Sequence, residues 1–574
     1  MVSTIIERAT SALPSDNNKD RILYAGAIEI DAAIVGAGIA GLAAADDIAE
    51  AGFRVAVYEA DDEIGGRIPY RQVPRLGWPL APGPMRGSDH QRELNRLVKK
   101  LGLRKAQFDF SESTSFLLRG LRMSARGMKS GICSHCGTAL SFPYALTIDE
   151  QAVGNSPDGL VQLAIKRTLK DLTFPALTRE QAASVVTRIE KLNLSIGNWK
   201  ILSDDYWQLI QEYGQLSGKP LYMFGFWNIL QRYLSSEGYQ LVHDAFGYES
   251  ISSNWNAAEA AWWFAKDFDP TQKWFTLRDG FQELPRRLEE RIRKRGIKLA
   301  LKHRLTRLTP LNGGSKWRLE FETESGEMTA VIARRVILAL PRGPLEKLYV
   351  DHPGWRKFKA ECLSAVQPHP LFKVSLIYES PWWSKYDVPG GESGRVFTDL
   401  PLRQVYYFGW QRARSKRDWV TVMGYSDDRF VEYWSAFEEG PPHFRQPVDW
   451  NSMSRQEQDD LLHINGRYGT STRMIDDIRQ QLAQIHGVPP YEIPEPVIGV
   501  YMDWERKAGA GWHTWQVGFK AWEIARRVRK PFSDTELYIC GESYSRDQGW
   551  IEGSLKSARE VAREVIDSLH SRSL

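Results

Sequence analysis

Residues 32–67 read AAIVGAGIAGLAAADDIAEAGFRVAVYEADDEIGGR, and the fold is decided here. An apolar run from Ala32 to Val35 enters Gly36, Gly38 and Gly41, the G-x-G-x-x-G spacing of a strand turning tightly into a helix. The first glycine permits the turn, the second lets backbone approach a pyrophosphate, and the third lets the helix sit close to the strand. Unpaired N–H groups and the dipole at the helix N-terminus favour phosphate there. A second strand, Arg54 to Tyr58, ends at Glu59, roughly twenty residues on, where a carboxylate holds a ribose hydroxyl. Strand, turn, helix, strand and acid together predict a dinucleotide site. The acid favours a free 2′-hydroxyl, as in FAD or NAD, over the 2′-phosphate of NADP.

Beyond Glu59, the run Asp62-Glu63-Ile64-Gly65-Gly66-Arg67 reads by composition as a surface turn, yet its paired glycines allow close backbone approach and its arginine supplies charge for phosphate. Far along the chain, LYICGESYSRDQGWIEGSLKSAREVAREVI gives a strand at Leu537 to Cys540, then Gly541-Glu542, then Gly549-Trp550 opening a helix. Ile551, Leu555, Ala558, Ala562 and Val565 fall at helical spacing on that helix.

Together these pieces resemble the FAD-dependent amine oxidase superfamily, and within it the L-amino acid oxidases and bacterial amino acid 2-monooxygenases, over about residues 30 to 570. The resemblance implies an α/β fold with a Rossmann-type FAD-binding domain assembled from three segments, a mixed-sheet α+β substrate domain and a helical domain. In the family's pattern Glu59 is the adenosine ribose carboxylate, Gly65-Gly66-Arg67 lies beside the flavin phosphates, and Glu542 binds the ribityl or phosphate region. The Gly549-Trp550 helix, with Ile551, faces the pyrimidine edge of the isoalloxazine, where a helix N-terminus would stabilise negative charge on reduced flavin.

The same resemblance assigns substrate contacts. Gly83-Pro84-Met85-Arg86 matches a G-P-M-R element whose arginine binds the substrate carboxylate and which, with Met85, borders the cofactor. Tyr425, in TVMGY, matches a tyrosine giving that carboxylate a second hydrogen bond. Lys373, in the strand-like LFKVSLIY, matches the catalytic lysine that holds a water against flavin N5. Trp504 and Trp550 match two walls of an aromatic cage around the amine-bearing carbon, with Gly549 beside them.

The activity implied is flavin-dependent oxidative deamination of L-amino acids with large or basic side chains, by hydride transfer from Cα to FAD. Reoxidation by O2 would give 2-oxo acid, ammonia and hydrogen peroxide. Oxidative decarboxylation to an amide by a 2-monooxygenase is the alternative, since YSRDQGWIEGSLKSA and GAGWHTW look closer to the lysine, tryptophan and phenylalanine 2-monooxygenases. Monoamine or polyamine oxidation is more distant, because such substrates would leave Arg86 without a purpose. The pocket for the side chain would draw on the aromatic-rich stretch from Tyr248 to Trp263, with Glu249 and Asp547 as candidates for meeting a basic group.

Bulk properties fit this reading without selecting it. The 574 residues, 42% hydrophobic, can bury a large core, and a net charge of +4 is small against 75 basic and 71 acidic side chains. Neither a nucleic-acid nor a membrane partner is implied; the expected partners are an L-amino acid and O2, in a homo-oligomer of two or more copies. No apolar run reaches the roughly eighteen to twenty residues that span a bilayer, and the first thirty residues lack the pattern of a secretory signal, so a cytoplasmic protein is expected. Cys133-Ser134-His135-Cys136 looks like half of a zinc ribbon without its second pair, so no metal is expected. The cysteine that bonds flavin in monoamine oxidases has no counterpart near DWERKAGAGWHTW, so the FAD is expected to be non-covalent.

The predicted organisation is an N-terminal arm (1–29), an FAD-binding domain from 30–67, 275–345 and 531–574, a substrate domain from 68–144, 246–274 and 346–530, and a helical domain at 145–245. In the middle FAD segment, alternation predicts a strand at Trp317 to Phe321 and a buried strand at Val336 to Leu340. Amphipathic runs such as SVVTRIEKLNLSI and FWNILQRYL predict the helices.

Overall fold

A computed structural model describes residues 29–69, 83–108, 113–131, 142–193, 198–267, 272–388, 391, 393–409 and 419–571. The arm up to residue 28, Ala81-Pro82, and the Cys133/Cys136 pair lie outside the described residues.

The opening strand, β1 (Glu29–Val35), is buried from Ile30 onward because both of its faces are covered. It runs parallel to β2 (Val55–Tyr58), pairing Ala32 with Val55 and Val35 with Tyr58, and helix α1 (Ile39–Glu50) makes the crossover. On its other side β1 runs parallel to β3 (Met328–Leu338). The full sheet has eight strands, ordered Lys298–Ala300, β2, β1, β3, Lys316–Thr323, His303–Leu311 and Tyr349–Val350, with Leu537–Ile539 pairing parallel to the end of β3. Three separate stretches of chain therefore build one Rossmann-type layer. Helix Ile551–His570 covers it beside α1, and Leu42, Ile48, Leu555, Val561 and Val565 share the core between them.

Strand β3 begins eight residues before the predicted Val336. Its first five residues, along the antiparallel partner Lys316–Thr323, are exposed or half-buried, and only Val336 to Leu338 are both buried and continuously apolar. Ala339 and Leu340, predicted within it, leave the ladder, and the Ala339 N–H donates to Val35 O (2.8 Å) above the glycine turn.

A second, mostly antiparallel sheet of seven strands centres on β4 (Leu371–Tyr378) and β5 (Val420–Asp427), each buried along its whole length. Strand β6 (Ile498–Asp503) flanks β4, and Gln404–Phe408, Gly394–Thr398, Thr114–Leu118 and Leu121–Ser124 continue beyond β5. The predicted run LFKVSLIY is β4 residue for residue.

Helices including Pro157–Asp171, Arg179–Glu190, Phe226–Tyr233 and α2 (Ala257–Asp267) form a third body around Leu160, Ile165, Ile210, Phe226 and Phe264. Among the described residues no helix is long and apolar enough to cross a membrane.

Candidate active site

One cavity of about 970 Å³ runs between the two sheets and under the helical body, at the upper end of the roughly 300–1,000 Å³ of small-molecule sites. Its dinucleotide end is built from the opening motif. Gly41 stays behind the cavity wall: a Cβ there would stand 1.9 Å from Gly36 O, so only glycine lets α1 lie this close to the turn. A Cβ on Gly38 would meet nothing within 4 Å, and α1 has no side-chain cap, so its first N–H groups face open space along with Ile39 and Ala40. Gly65 bridges to Gly38, its N–H donating to Ala37 O (2.9 Å), and Gly66 and Arg67 extend this wall.

Glu59 lines the same end. Its Oε2 accepts the Ala37 N–H (2.7 Å) and its Oε1 the Asp61 N–H (3.0 Å), and burial raises its pKa above the ordinary value despite those donors.

The third chain segment supplies a second helix N-terminus, α3 (Ile551–His570), whose Ile551 and Ser554 line the cavity. Trp550 is its N-cap residue and offers no side-chain cap. Gly549 takes φ +79°, a left-handed conformation natural to glycine, and a Cβ would come 2.9 Å from the Trp512 ring. Glu542 fixes this turn by accepting the Gly549 N–H (2.8 Å), and it also accepts from Arg67 Nη1 (2.7 Å), His513 N (3.0 Å) and His513 Nδ1 (2.9 Å). Burial alone would raise its pKa, but Arg67 and His513 hold it well below the usual carboxylate range. Two uncapped helix ends, an open glycine cradle and a ribose-length acid all face one cavity, and these residues fit FAD. The two described cysteines, Cys362 and Cys540, are buried and do not line it.

The other end of the cavity collects the remaining predicted residues. The register of the second sheet sets Lys373 on β4 directly opposite Tyr425 on β5, and both line the cavity with Met85, Arg86 and Trp504. Lys373 Nζ donates to Gly83 O (2.6 Å) and lies 5.6 Å from the Tyr425 ring centre. Burial and then the charge of Arg86 lower its pKa to about 7. The Arg86 guanidinium lies 4.4 Å from the Trp274 ring centre and 5.7 Å from that of Trp550. Trp550 stacks in turn between Trp274 (5.5 Å) and Trp263 (6.2 Å), and Trp512 meets Trp255 edge-on at 5.6 Å.

Sequence reasoning missed Trp274 as the ring against Arg86 and singled out neither Trp263 nor Trp512 as walls, because in a chain with 21 tryptophans nothing local marks which ones stand at a site. Glu249 and Asp547, the candidates for a basic side chain, do not line the cavity. Glu249 pairs with Arg429 (2.9 Å) and His243 (3.3 Å), and Asp547 with Lys556 (2.7 Å) and Lys266 (3.9 Å).

Known proteins share this architecture. Cyclohexylamine oxidase from Brevibacterium oxydans superposes with a TM-score of 0.60 at 17% identity, covering 95% of this chain and 100% of that one. A putrescine oxidase variant does so at 0.59 and 17%, covering 94% and 99%. In sequence, aplysianin-A of Aplysia kurodai is 24% identical over 94% of this chain and 90% of its own. The L-amino acid oxidase bordonein-L of Crotalus durissus terrificus is 24% identical over 93% and 86% respectively. The profile of the flavin containing amine oxidoreductases matches residues 39–566, and the chain belongs to that family of FAD enzymes.

Proposed function

We propose that the protein is an L-amino acid oxidase, converting an L-α-amino acid, O2 and water to the 2-oxo acid, ammonia and hydrogen peroxide. The observation that carries this reading is Arg86. Its guanidinium lines the cavity against the Trp274 and Trp550 rings, and among the described residues it makes no ion pair or hydrogen bond, while Tyr248, Asp267, Tyr406 and Tyr425 offset its burial electrostatically. A cation in a largely desolvated wall with no ion-pair partner among the described residues is costly, and a ligand carboxylate is a group that would pair with it. The Tyr425 hydroxyl, also without a hydrogen bond among the described residues, stands across from Lys373 as a second donor for that carboxylate. The relatives named as L-amino acid oxidases support the same reading.

When bound, FAD supplies the acceptor for the hydride of the substrate Cα–H. The chain's own residues hold and orient the substrate: Arg86 and Tyr425 fix the carboxylate, and the walls of Trp263, Trp512 and Trp550 exclude water. Lys373, with a pKa near neutrality, can hold a water or pass a proton beside them. Tyr248, Ile251, Trp255 and Phe264 line the rest of this end and suit a large apolar side chain.

The test is anaerobic bleaching of the yellow protein by a panel of L-amino acids, followed by assay of peroxide, ammonia and amide on admitting oxygen. Bleaching with peroxide and ammonia is expected. Amide in place of ammonia would make the enzyme a 2-monooxygenase, and bleaching by amines alone would refute the role given to Arg86.

A further inference from the structure

Two residues beyond Tyr425, on the same face of β5, Asp427 is fully buried and does not line the cavity. Its Oδ1 accepts the Glu249 N–H (2.8 Å) and its Oδ2 the Ser250 hydroxyl (2.9 Å). Those donors belong to the loop and short helix whose Tyr248, Ser250 and Ile251 do line the cavity. The Tyr248 ring meets the Tyr425 ring edge-on, 5.5 Å between centres and 77° between planes. The carboxylate is therefore the hydrogen-bonded joint between a wall carried by the helical body and the strand that carries Tyr425. The next residue, Asp428, holds the neighbouring wall: it pairs with His369 Nδ1 (2.9 Å), whose Nε2 meets Thr514 Oγ1 (2.8 Å) and whose ring lies 5.1 Å from Trp512.

We propose that Asp427 is a positioning residue for substrate binding, holding the Tyr248–Ile251 wall against Tyr425 and so setting the corner in which the substrate carboxylate meets Arg86. This rests on the carboxylate reading above. The chemistry fits that role, because two donors from one loop need two acceptor atoms at fixed spacing, which a carboxylate supplies and a hydroxyl does not. Burial, and then the Asp428 carboxylate, raise its pKa to about 7, a cost that two donors offset only in part. An apolar residue in the same space would leave the Glu249 N–H and the Ser250 hydroxyl without their acceptor and free the loop from β5.

The experiment measures binding of benzoate, a carboxylate without an amine, to the FAD-loaded protein by the change in flavin absorbance. Wild type, Asp427→Ala, Asp427→Asn and Ser250→Ala are compared, with thermal melting of each. Asp427→Ala is expected to weaken benzoate about tenfold and to raise KM for the preferred amino acid more than it lowers kcat. Asp427→Asn, whose Oδ1 still accepts from Glu249 and whose Nδ2 can donate to Ser250, is expected to restore the benzoate Kd to within about twofold of wild type. An Asp427→Ala protein that melts earlier but binds benzoate as wild type does would overturn the proposal, leaving the acid a purely structural joint. Should that variant fail to fold, Ser250→Ala decides: a benzoate Kd raised about threefold upholds the proposal, and an unchanged one overturns it. Wild-type protein that ignores benzoate would instead sink the carboxylate reading, and this proposal with it.

Discussion

The two ends of the cavity are built in opposite ways. The dinucleotide end is largely backbone: the turn from Gly36 to Gly38, the start of α1 and the Gly65-Gly66 turn lie within one stretch of chain, and Glu59 locks the Ala37 N–H in place. The substrate end is side chain, with Arg86, Lys373, Tyr425 and Trp550 arriving from four distant segments and meeting only when two sheets and a helix have docked. A backbone site depends on the absence of side chains, a side-chain site on register. Slipping β4 by one residue against β5 would turn Lys373 to the opposite face of the sheet. The first kind of site therefore tolerates divergence wherever its glycines stay, whereas the second can change substrate through one substitution.

The sharpest way to break this contrast is Arg86→Ala. If the substrate end acts through one cation, the variant should keep its FAD, measured by flavin absorbance, and lose about 10³-fold in kcat/KM for the best amino acid, the consequence of leaving a desolvated carboxylate unpaired. Retained activity would mean that the two ends are not separable in this way.

Gly41→Ala probes the other end. The new methyl must push against Gly36 O, so the turn opens, FAD content falls, and the melting temperature drops by several degrees, in line with roughly 1–3 kcal/mol of overpacking. Full FAD occupancy would show that the turn has room to give.

Lys373→Met gives the most diagnostic stability effect. A lysine whose folded pKa is depressed to about 7 binds its proton more tightly in the unfolded chain, so between pH 7 and the unfolded value of about 10.4 wild-type stability rises with pH. The cost of the buried amine is thus fully present below pH 7. Methionine should raise the melting temperature of the FAD-free protein most at pH 7 and below, with the gain shrinking by about 1.4 kcal/mol per pH unit towards pH 10. A gain independent of pH would place the amine in water.

Legibility followed the same division. The opening motif could be read from Ala32 to Glu59 because its signal is local: glycines at fixed spacing between apolar runs. Lys373 stood out physically only as a charge inside the apolar run LFKVSLIY, and the family resemblance, not the pattern, brought Arg86 and Tyr425 forward. Glu249 and Asp547 misled because a sequence displays charges without showing which are already taken, and Arg429 and Lys556 have taken these. The Trp263 and Trp512 walls, and Trp274 beneath Arg86, escaped for the converse reason. Aromatic residues are as useful in a core as around a ligand, and only tertiary contacts separate the two.

The pairing of Leu537–Ile539 with β3, and the seat of α3 against α1, also set a timetable. A ribosome that has released residues 29 to 500 has made the whole glycine motif, yet β3 still lacks Leu537–Ile539 beside its last residues and the core around α1 still lacks α3. That stretch therefore carries a recognisable nucleotide motif while the wall made by Glu542, Gly549, Ile551 and Ser554 is still missing. The cofactor site is thus complete only once residues 537–570 have joined the glycine motif in one cavity wall.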